Sequence, residues 1–320
     1  MLKLIPLASD SLGVRSMALL VDLKNLKILV DAGSSLGPRY GLPPHPIEYK
    51  ALKDSKVRIR RAAKKADVVF ISHYHFDHYT PCWPDIEWKW TWAGLELAKK
   101  IYSGKEIWAK SPETNINYSQ RFRALKFFNV SKEISKEVKF LNGERLLLEN
   151  IEFEFIPLKH GSEDSKLGYV LALNIDNELL FLSDVQGPGT EEAFNLIKRI
   201  EPRICVLSGP PIYLVDKSVS EKEIAMSFYR LKKVVEYSKI TIIDHHIMRS
   251  ENYNIYIDEV KRKAKRYGHL VYTYAELLGK KNAPLESKRK ELYEKCPPDK
   301  EFMKWASLPP RLQSSQPPPL

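Results

Sequence analysis

With three cysteines in 320 residues and no CxxC pair, this chain has little from which to build a disulfide framework or a thiolate metal cluster. Cys82, Cys205 and Cys296 are widely spaced and read as reduced, unpaired thiols. Long apolar runs are missing too. The richest, ADVVFIS at 66–72 and LLFLS at 179–183, fall far short of the roughly 20 residues a membrane-spanning helix needs. The opening MLKLIPLASDSLGVRS lacks the apolar core of a signal peptide, so the expectation is a cytoplasmic protein with no membrane association. No repeat of fixed period is visible, which excludes solenoids and propellers. Histidine is scarce, at 8 residues, yet three of these stand in FISHYHFDHYT at 70–80.

What is present is an apolar content of 43%, sufficient for a sizeable core. Short aliphatic runs alternate with amphipathic stretches, an α/β pattern. SMALLVDL (16–23), KILVDAG (27–33) and RLLLENIEFEFIPL (145–158) read as meander strands, the last split by Glu149-Asn150 as a turn. DVVFIS, GYVLALNI, ELLFLSD, RICVLSG and ITIID are apolar nearly throughout, as strands covered on both faces are. Ser218 to Glu221 reads as a capping box opening a helix through Tyr237, and Thr273 to Glu276 as a second. One domain over residues 1–281 is predicted. Beyond Asn282, CPPDKEFMKWASLPPRLQSSQPPPL carries seven prolines and predicts an appendage over 282–320, with one short helix near Phe302 to Trp305 and a disordered end.

Lysine and arginine outnumber acidic residues 51 to 40, a net charge of +11 that points to an anionic partner. Residues 99–132 hold eight Lys/Arg against two Glu, interleaved with Tyr102, Trp108, Tyr118 and Phe122, within a basic insertion of about 85–135. That stretch is a candidate anion-binding lobe, and Ser119 and Arg121 within it are candidate substrate contacts. A second basic excess, over 261–290, falls largely on a predicted helix and reads as a solvated face.

Imidazole and carboxylate are the side chains that bind divalent transition metals. His73, His75, Asp77 and His78 follow directly on the DVVFIS strand, at the carboxyl end where α/β folds place their sites. Alternation sends His73 and His75 the same way, while Asp77 and His78, on the next turn, reach a second point nearby. Two adjacent ions can be served. A helix start capped by Asp and His needs no second imidazole at this spacing. His45 and His269, outside any motif, read as surface or packing residues.

The segment His73-Tyr74-His75-Phe76-Asp77-His78 after an apolar strand resembles the HxHxDH metal signature of the metallo-β-lactamase superfamily. The superfamily's other landmarks follow in order: Asp31 in KILVDAG, His160 in IPLKHGSEDS, Asp184 in LLFLSDVQGP, and His245 and His246 in ITIIDHHIMR. The wording of SDSLGVRSM, SHYHFDHY, SDVQGP and DHHIMR is most similar to the archaeal UPF0282 family, related at a distance to enzymes of the RNase J and RNase Z type. The resemblance implies a four-layer αββα sandwich, two mixed sheets with helices on the outer faces. It implies one metal on His73, His75 and His160, and a second on Asp77, His78 and either His245 or His246. Asp184 would bridge the two, and Asp31 would orient a ligand. Since consecutive residues at a strand end point to opposite sides, only one of the last two histidines is expected to reach the metals, with His245 preferred.

Two divalent ions, zinc by donor set with iron or manganese as alternatives, would generate a bridging hydroxide. Asp77 would then be the catalytic proton acceptor. The expected activity is hydrolysis of a phosphodiester or other anionic ester, with RNA or DNA as candidate substrates. A lactone or thioester hydrolase, and a nucleic-acid-binding scaffold with a structural metal, stand as alternatives. Arg15 and the turn Gly209–Leu214 are candidate pocket residues. The sequence leaves the oligomeric state open.

Overall fold

The computed structural model describes residues 2–83, 90–215 and 217–320. Its first half starts with three strands close in sequence, β1 (Lys3–Ser9), β2 (Met17–Asp22) and β3 (Lys27–Val30), which pair as an antiparallel meander. Parallel strands cannot be joined by tight turns and need crossovers. Accordingly α1 (Pro46–Ala63), α2 (Leu95–Tyr102) and α3 (Tyr118–Ile134) separate β3, β4 (Val68–Ile71), β5 (Glu106–Lys110) and β6 (Glu137–Leu141), all parallel, and close a six-stranded mixed sheet.

The second half repeats the plan. A meander of β7 (Arg145–Leu148), β8 (Ile151–Lys159), β9 (Tyr169–Ile175) and β10 (Leu179–Ser183) leads through α4 (Glu191–Ile200), α5 (Glu221–Val234) and α6 (Tyr253–Lys265) to parallel β11 (Ile204–Ser208), β12 (Ile240–Asp244) and β13 (Leu270–Tyr272). Glu149 and Asn150 both adopt left-handed φ, 52° and 60°, as a tight hairpin between β7 and β8 requires.

Period-two alternation sorts the layers. On β2, Met17, Leu19 and Val21 enter the core between the sheets, whereas Ala18 and Leu20 pack toward the helices. On β10, Leu179 and Phe181 face the other sheet, and Leu180 and Leu182 face α4 to α6. The expected αββα sandwich results.

Several expectations need correction. The helix α5 is capped by Ser220, whose side chain accepts from Glu223 N–H, and not by Ser218. Two S-x-x-E frames overlap here, and the turn through Ile212–Leu214, with its bridge from Val215 to Val219, delays helix entry by two residues. Thr273 does form its capping box, opening α7 (Tyr274–Leu277). The described part of the basic insertion supplies β5, α2 and α3 of the first sheet's own layers, and residues 85–89 lie outside the described residues. Trp108, offered above as an interleaved aromatic, is buried between the sheets against Phe153 and Phe155.

The region after Asn282 packs into the main body instead of hanging from it. It forms α8 (Arg289–Lys295), α9 (Lys300–Ala306) and α10 (Pro310–Ser315). Phe302 and Trp305 pack edge-on against Tyr49 of α1, and Arg289 is bidentate to buried Glu48 at 2.8 Å for each bond. The prolines sit between helices, at a first turn or, as Pro317–Pro319, beyond the last helix, where no helical backbone N–H is required. His45 is buried as the N-cap of α1: its Nδ1 accepts from Ile47 N–H, so Nε2 donates to Cys296 O at 2.7 Å. Among the described residues no helix is long and apolar enough to cross a membrane.

Candidate metal centre

The strand carboxyl ends of both sheets meet at one edge, where backbone kinks aim the polar side chains. Asp31 after β3 (φ 46°), Ser183 at the end of β10 (φ 51°) and His245 after β12 (φ 64°) are all left-handed non-glycine residues. Such conformations cost on the order of 1–3 kcal/mol each and persist where the surroundings over-determine them. Gly33 permits a close approach to the metal loop: a Cβ there would lie 2.3 Å from Tyr79 N and 2.7 Å from His78 N, both backbone atoms that cannot swing aside. We expect Gly33→Ala to push the His73–His78 loop outward and weaken metal affinity by roughly 10- to 100-fold, the range for losing an orienting partner. Metal titration of the folded variant checks this.

The ligand-type atoms form four overlapping groups, each with its donors within 4.8 Å: His73, His75, His160 and Asp184; Asp31, His73 and His78; Asp77, His78 and His245; Asp184, His245 and His246. Asp184 Oδ2 is 3.4 Å from both His160 Nε2 and His78 Nε2, and 3.2 Å from His246 Nε2. Its Oδ1 is 3.3 Å from His245 Nε2. Asp77 Oδ2 is 3.6 Å from His245 Nε2.

Hydrogen bonding behind the imidazoles decides which nitrogen faces inward. A carboxylate only accepts, so His78 Nδ1–H donates to Asp31 Oδ2 at 2.7 Å and His245 Nδ1–H donates to Asp10 Oδ2 at 2.6 Å. Ser72 N–H and Oγ–H also donate to Asp31, at 2.8 and 2.7 Å, which leaves Ser72 Oγ to accept from His73 Nδ1 at 3.0 Å. Three rings thus turn Nε2 toward the cluster, where His78 Nε2 and His245 Nε2 lie 3.4 Å apart. Asp184 Oδ1 is buried without a hydrogen-bond donor. Lone pairs converging on lone pairs in a dry site are unfavourable unless a cation sits among them, so the donor set fits a metal.

The titration behaviour divides the imidazoles into two sets. Burial, together with neighbouring histidines, holds His73 and His160 well below the ordinary imidazole value. Burial likewise brings His75 and His246 down to about 4, so these four are neutral at pH 7. Burial acts the same way on His78 and His245, but Asp184 with Asp31 outweighs it at His78, and Asp184 with Asp10 at His245. Both are raised above the ordinary value. A metal must displace those two protons, so affinity should rise with pH through neutrality, by up to about two decades per unit while both protons are being displaced. Metal binding measured from pH 5.5 to 8 at constant ionic strength tests the sign: a flat profile would contradict it.

The structure brings His73, His75, Asp77, His78, His160, Asp184, His245, His246 and Asp31 together. The alternation expected of the last two histidines does not occur. The strand ends at Asp244, His245 takes a left-handed φ, and residues 245–249 wind as a 3-10 turn, so both imidazoles approach Asp184. Arg15 lines the cavity over the cluster but is bidentate to Glu286. Ser119 and Arg121 are not among the cavity-lining residues, and Arg121 instead donates to Pro112 O and Glu113 O of the loop that precedes its helix. From the Gly209–Leu214 turn, Leu214 lines the cavity and Tyr213 Oη lies 3.0 Å from His246 Nδ1. Two residues missed from sequence are Asp10 and Arg249, whose Nε donates to Asp10 at 2.8 Å and whose Nη2 lies 3.4 Å from Asp77 Oδ2. They stand inside SDSLGVRSM and DHHIMR, segments singled out for their wording alone. The cavity has a volume of about 310 Å³.

An αββα sandwich with this His/Asp cluster at its strand ends is the class of fold and candidate metal site to which the metallo-β-lactamase signature pointed. The sequence model described as the Metallo-beta-lactamase superfamily matches residues 13–80. The chain belongs to the UPF0282 family: it is 40% identical over 298 residues to UPF0282 protein PH1002 of Pyrococcus horikoshii, covering 91% of this chain and 93% of that protein. It is likewise 40% identical over 296 residues to UPF0282 protein MK0213 of Methanopyrus kandleri, with 91% and 99% covered. Among solved structures, Tm1679, a metal-dependent hydrolase of the beta-lactamase superfamily, is similar over 85% of this chain and 96% of that one, at 15% identity and a TM-score of 0.47.

Proposed function

We propose that the protein is a dinuclear hydrolase of phosphodiesters or other anionic esters. The observation that carries this reading is the position of Asp184, whose carboxylate borders the His73/His75/His160 group and, through its other oxygen, His245 of the Asp77/His78/His245 group. His73, His75 and His160 would hold one ion, and Asp77, His78 and His245 the other, with His246 as the alternative and Asp184 common to both. Zinc suits these nitrogen and oxygen donors, and iron or manganese is compatible. Such a pair supplies an acidified water and neutralises charge that builds on the ester oxygens.

The chain's own groups supply the rest. Burial opposes ionisation of Asp77, but His78, His245 and Arg249 outweigh it and hold its carboxyl well below the usual range. At neutral pH it is an anion suited to hold a cation, and it would take the nucleophile's proton only from a water already acidified by the metals. Asp31 and Asp10 keep the rings of His78 and His245 in one tautomer. The apolar walls at Leu36, Phe76, Trp90, Leu167 and Leu214 favour, as a second reading, a small ester or lactone over a polymer. A nucleic-acid strand is supported by the +11 charge and by Tyr118, 85% exposed on α3. Turnover of bis-p-nitrophenyl phosphate by metal-loaded protein is the test. We expect Asp77→Asn to lower kcat by roughly 10²- to 10⁴-fold, the contribution of a positioned proton acceptor. Absence of turnover of this diester and of p-nitrophenyl acetate would overturn the hydrolase reading.

A further inference from the structure

We propose that Arg123 is the anion receptor of the cavity, holding a negatively charged phosphate or carboxylate group of the substrate beside the metal ligands. The site would then select anionic esters over neutral ones of similar size. This rests on the hydrolase reading for its catalytic consequence, but the binding itself does not.

Three arginines line the cavity, and two are neutralised. Arg15 Nε and Nη2 donate to the two oxygens of Glu286 at 2.6 and 2.8 Å. Arg249 pairs with Asp10 at 2.8 Å and reaches Asp77 at 3.4 Å. Arg123 differs: among the described residues no carboxylate lies within ion-pair distance of it, and Asp77, which acts on it electrostatically, is farther off. Its guanidinium is nevertheless fixed. Nη1 donates to Tyr74 O at 2.8 Å, Nη2 donates to Ser119 Oγ at 2.7 Å, and the group lies 4.9 Å over the Phe76 ring.

Those neutral partners use two of five donors and cancel none of the charge. Tyr74 lies between His73 and His75, so the cation is tied to the backbone of the metal loop itself. A rigid, partly buried and uncompensated guanidinium against apolar walls is complementary to an anion, and its planar fork suits a two-oxygen contact. The competing role is structural, with Arg123 only bracing Tyr74.

The experiment uses metal-loaded wild type, Arg123→Met and Arg123→Lys, with metal content measured for each. Inorganic phosphate and acetate are titrated by calorimetry, and KM and kcat are read for bis-p-nitrophenyl phosphate and for neutral p-nitrophenyl acetate. Removing a charge-assisted contact should weaken binding of phosphate, acetate or both by roughly 10- to 100-fold in Arg123→Met and by less in Arg123→Lys. KM for the anionic ester should rise while that for the neutral ester stays level. Whichever anion shows the Arg123 dependence names the group recognised. If Arg123→Met loses metal, the comparison rests on Arg123→Lys. Unchanged affinity for both anions in a variant with full metal content would overturn the proposal, as would equal rises in KM for both esters, which is the structural outcome. Arg123-dependent anion binding without turnover of either ester would sink the hydrolase reading and leave the receptor in place.

Discussion

Alanine at Asp184 is expected to leave the protein folded, holding at most one ion per chain, and hydrolysing bis-p-nitrophenyl phosphate on the order of 10³-fold more slowly or not at all. Asp184 belongs to two of the four ligand groups and is buried, so removing it withdraws an anionic donor from both. What is lost is several kcal/mol of charge stabilisation in the transition state. At 1.36 kcal/mol per decade that is on the order of 10³ or more. Asp184→Asn separates charge from shape, because the amide keeps the volume and one acceptor oxygen but brings donors toward nitrogens that already face inward. Metal analysis alongside kinetics decides the matter. Two ions retained at full affinity by Asp184→Ala would contradict a shared carboxylate. Against the same background, His245→Ala should lose more metal than His246→Ala, since His245 is locked by Asp10 and sits with Asp77 and His78, whereas His246 is backed by Tyr213.

The second large effect lies far from the chemistry. Arg289 and Glu48 are both fully buried, and Glu48 also accepts from His45 N–H at 2.7 Å, so this ion pair ties the carboxy-terminal helices to the start of α1. Desolvating two charges is offset mainly by their mutual contact, helped by the His45 N–H on Glu48 and by Leu42 O, which accepts from Arg289, and removing one partner strands the other. Arg289→Met should therefore destabilise the fold by about 3–5 kcal/mol. The double variant Glu48→Gln with Arg289→Met should recover much of that, because no charge is left buried. Burial already raises the Glu48 carboxyl above its ordinary value even though Arg289 opposes the shift, and without Arg289 it must rise further. A folded carboxyl whose pKa exceeds the unfolded one binds the extra proton, so stability falls as pH rises between the two values. The deficit of Arg289→Met should accordingly be larger at pH 8 than at pH 5. Thermal melts of the single and double variants at both pH values check magnitude and sign, and an unshifted melting temperature would mean that the pair contributes nothing.

Residues close in sequence carried the legible part of this protein. The spacing of His73, His75, Asp77 and His78 after an apolar strand declares a metal loop, because a strand end presents neighbouring side chains in a geometry that sequence separation alone prescribes. Alternation in β2 and β10 likewise assigns inward and outward faces before any partner strand is known, and Thr273 caps its helix within four residues. The capping of α5 by Ser220 in place of Ser218 shows where this logic stops: two equivalent local frames compete, and the turn before them chooses.

Tertiary structure decided what depends on residues distant in the chain. Asp10 lies 235 positions from the imidazole it orients, and Arg249 lies 239 from its carboxylate, so no local period could announce either. Composition suggested a basic lobe, but packing sends Trp108 between the sheets, turns Arg121 onto the loop before its helix and leaves Arg123 at the cavity. Proline content suggested a loose end after Asn282, yet Arg289, Phe302 and Trp305 find buried partners on α1. The sequence by itself determined which side chains can bind metal and which strand faces are apolar, since those follow from side-chain chemistry and backbone period. Which charges are neutralised, which aromatics are buried and that both of the last two histidines turn toward Asp184 were decided by the fold, since each is a competition among partners that only folding brings within a few ångströms.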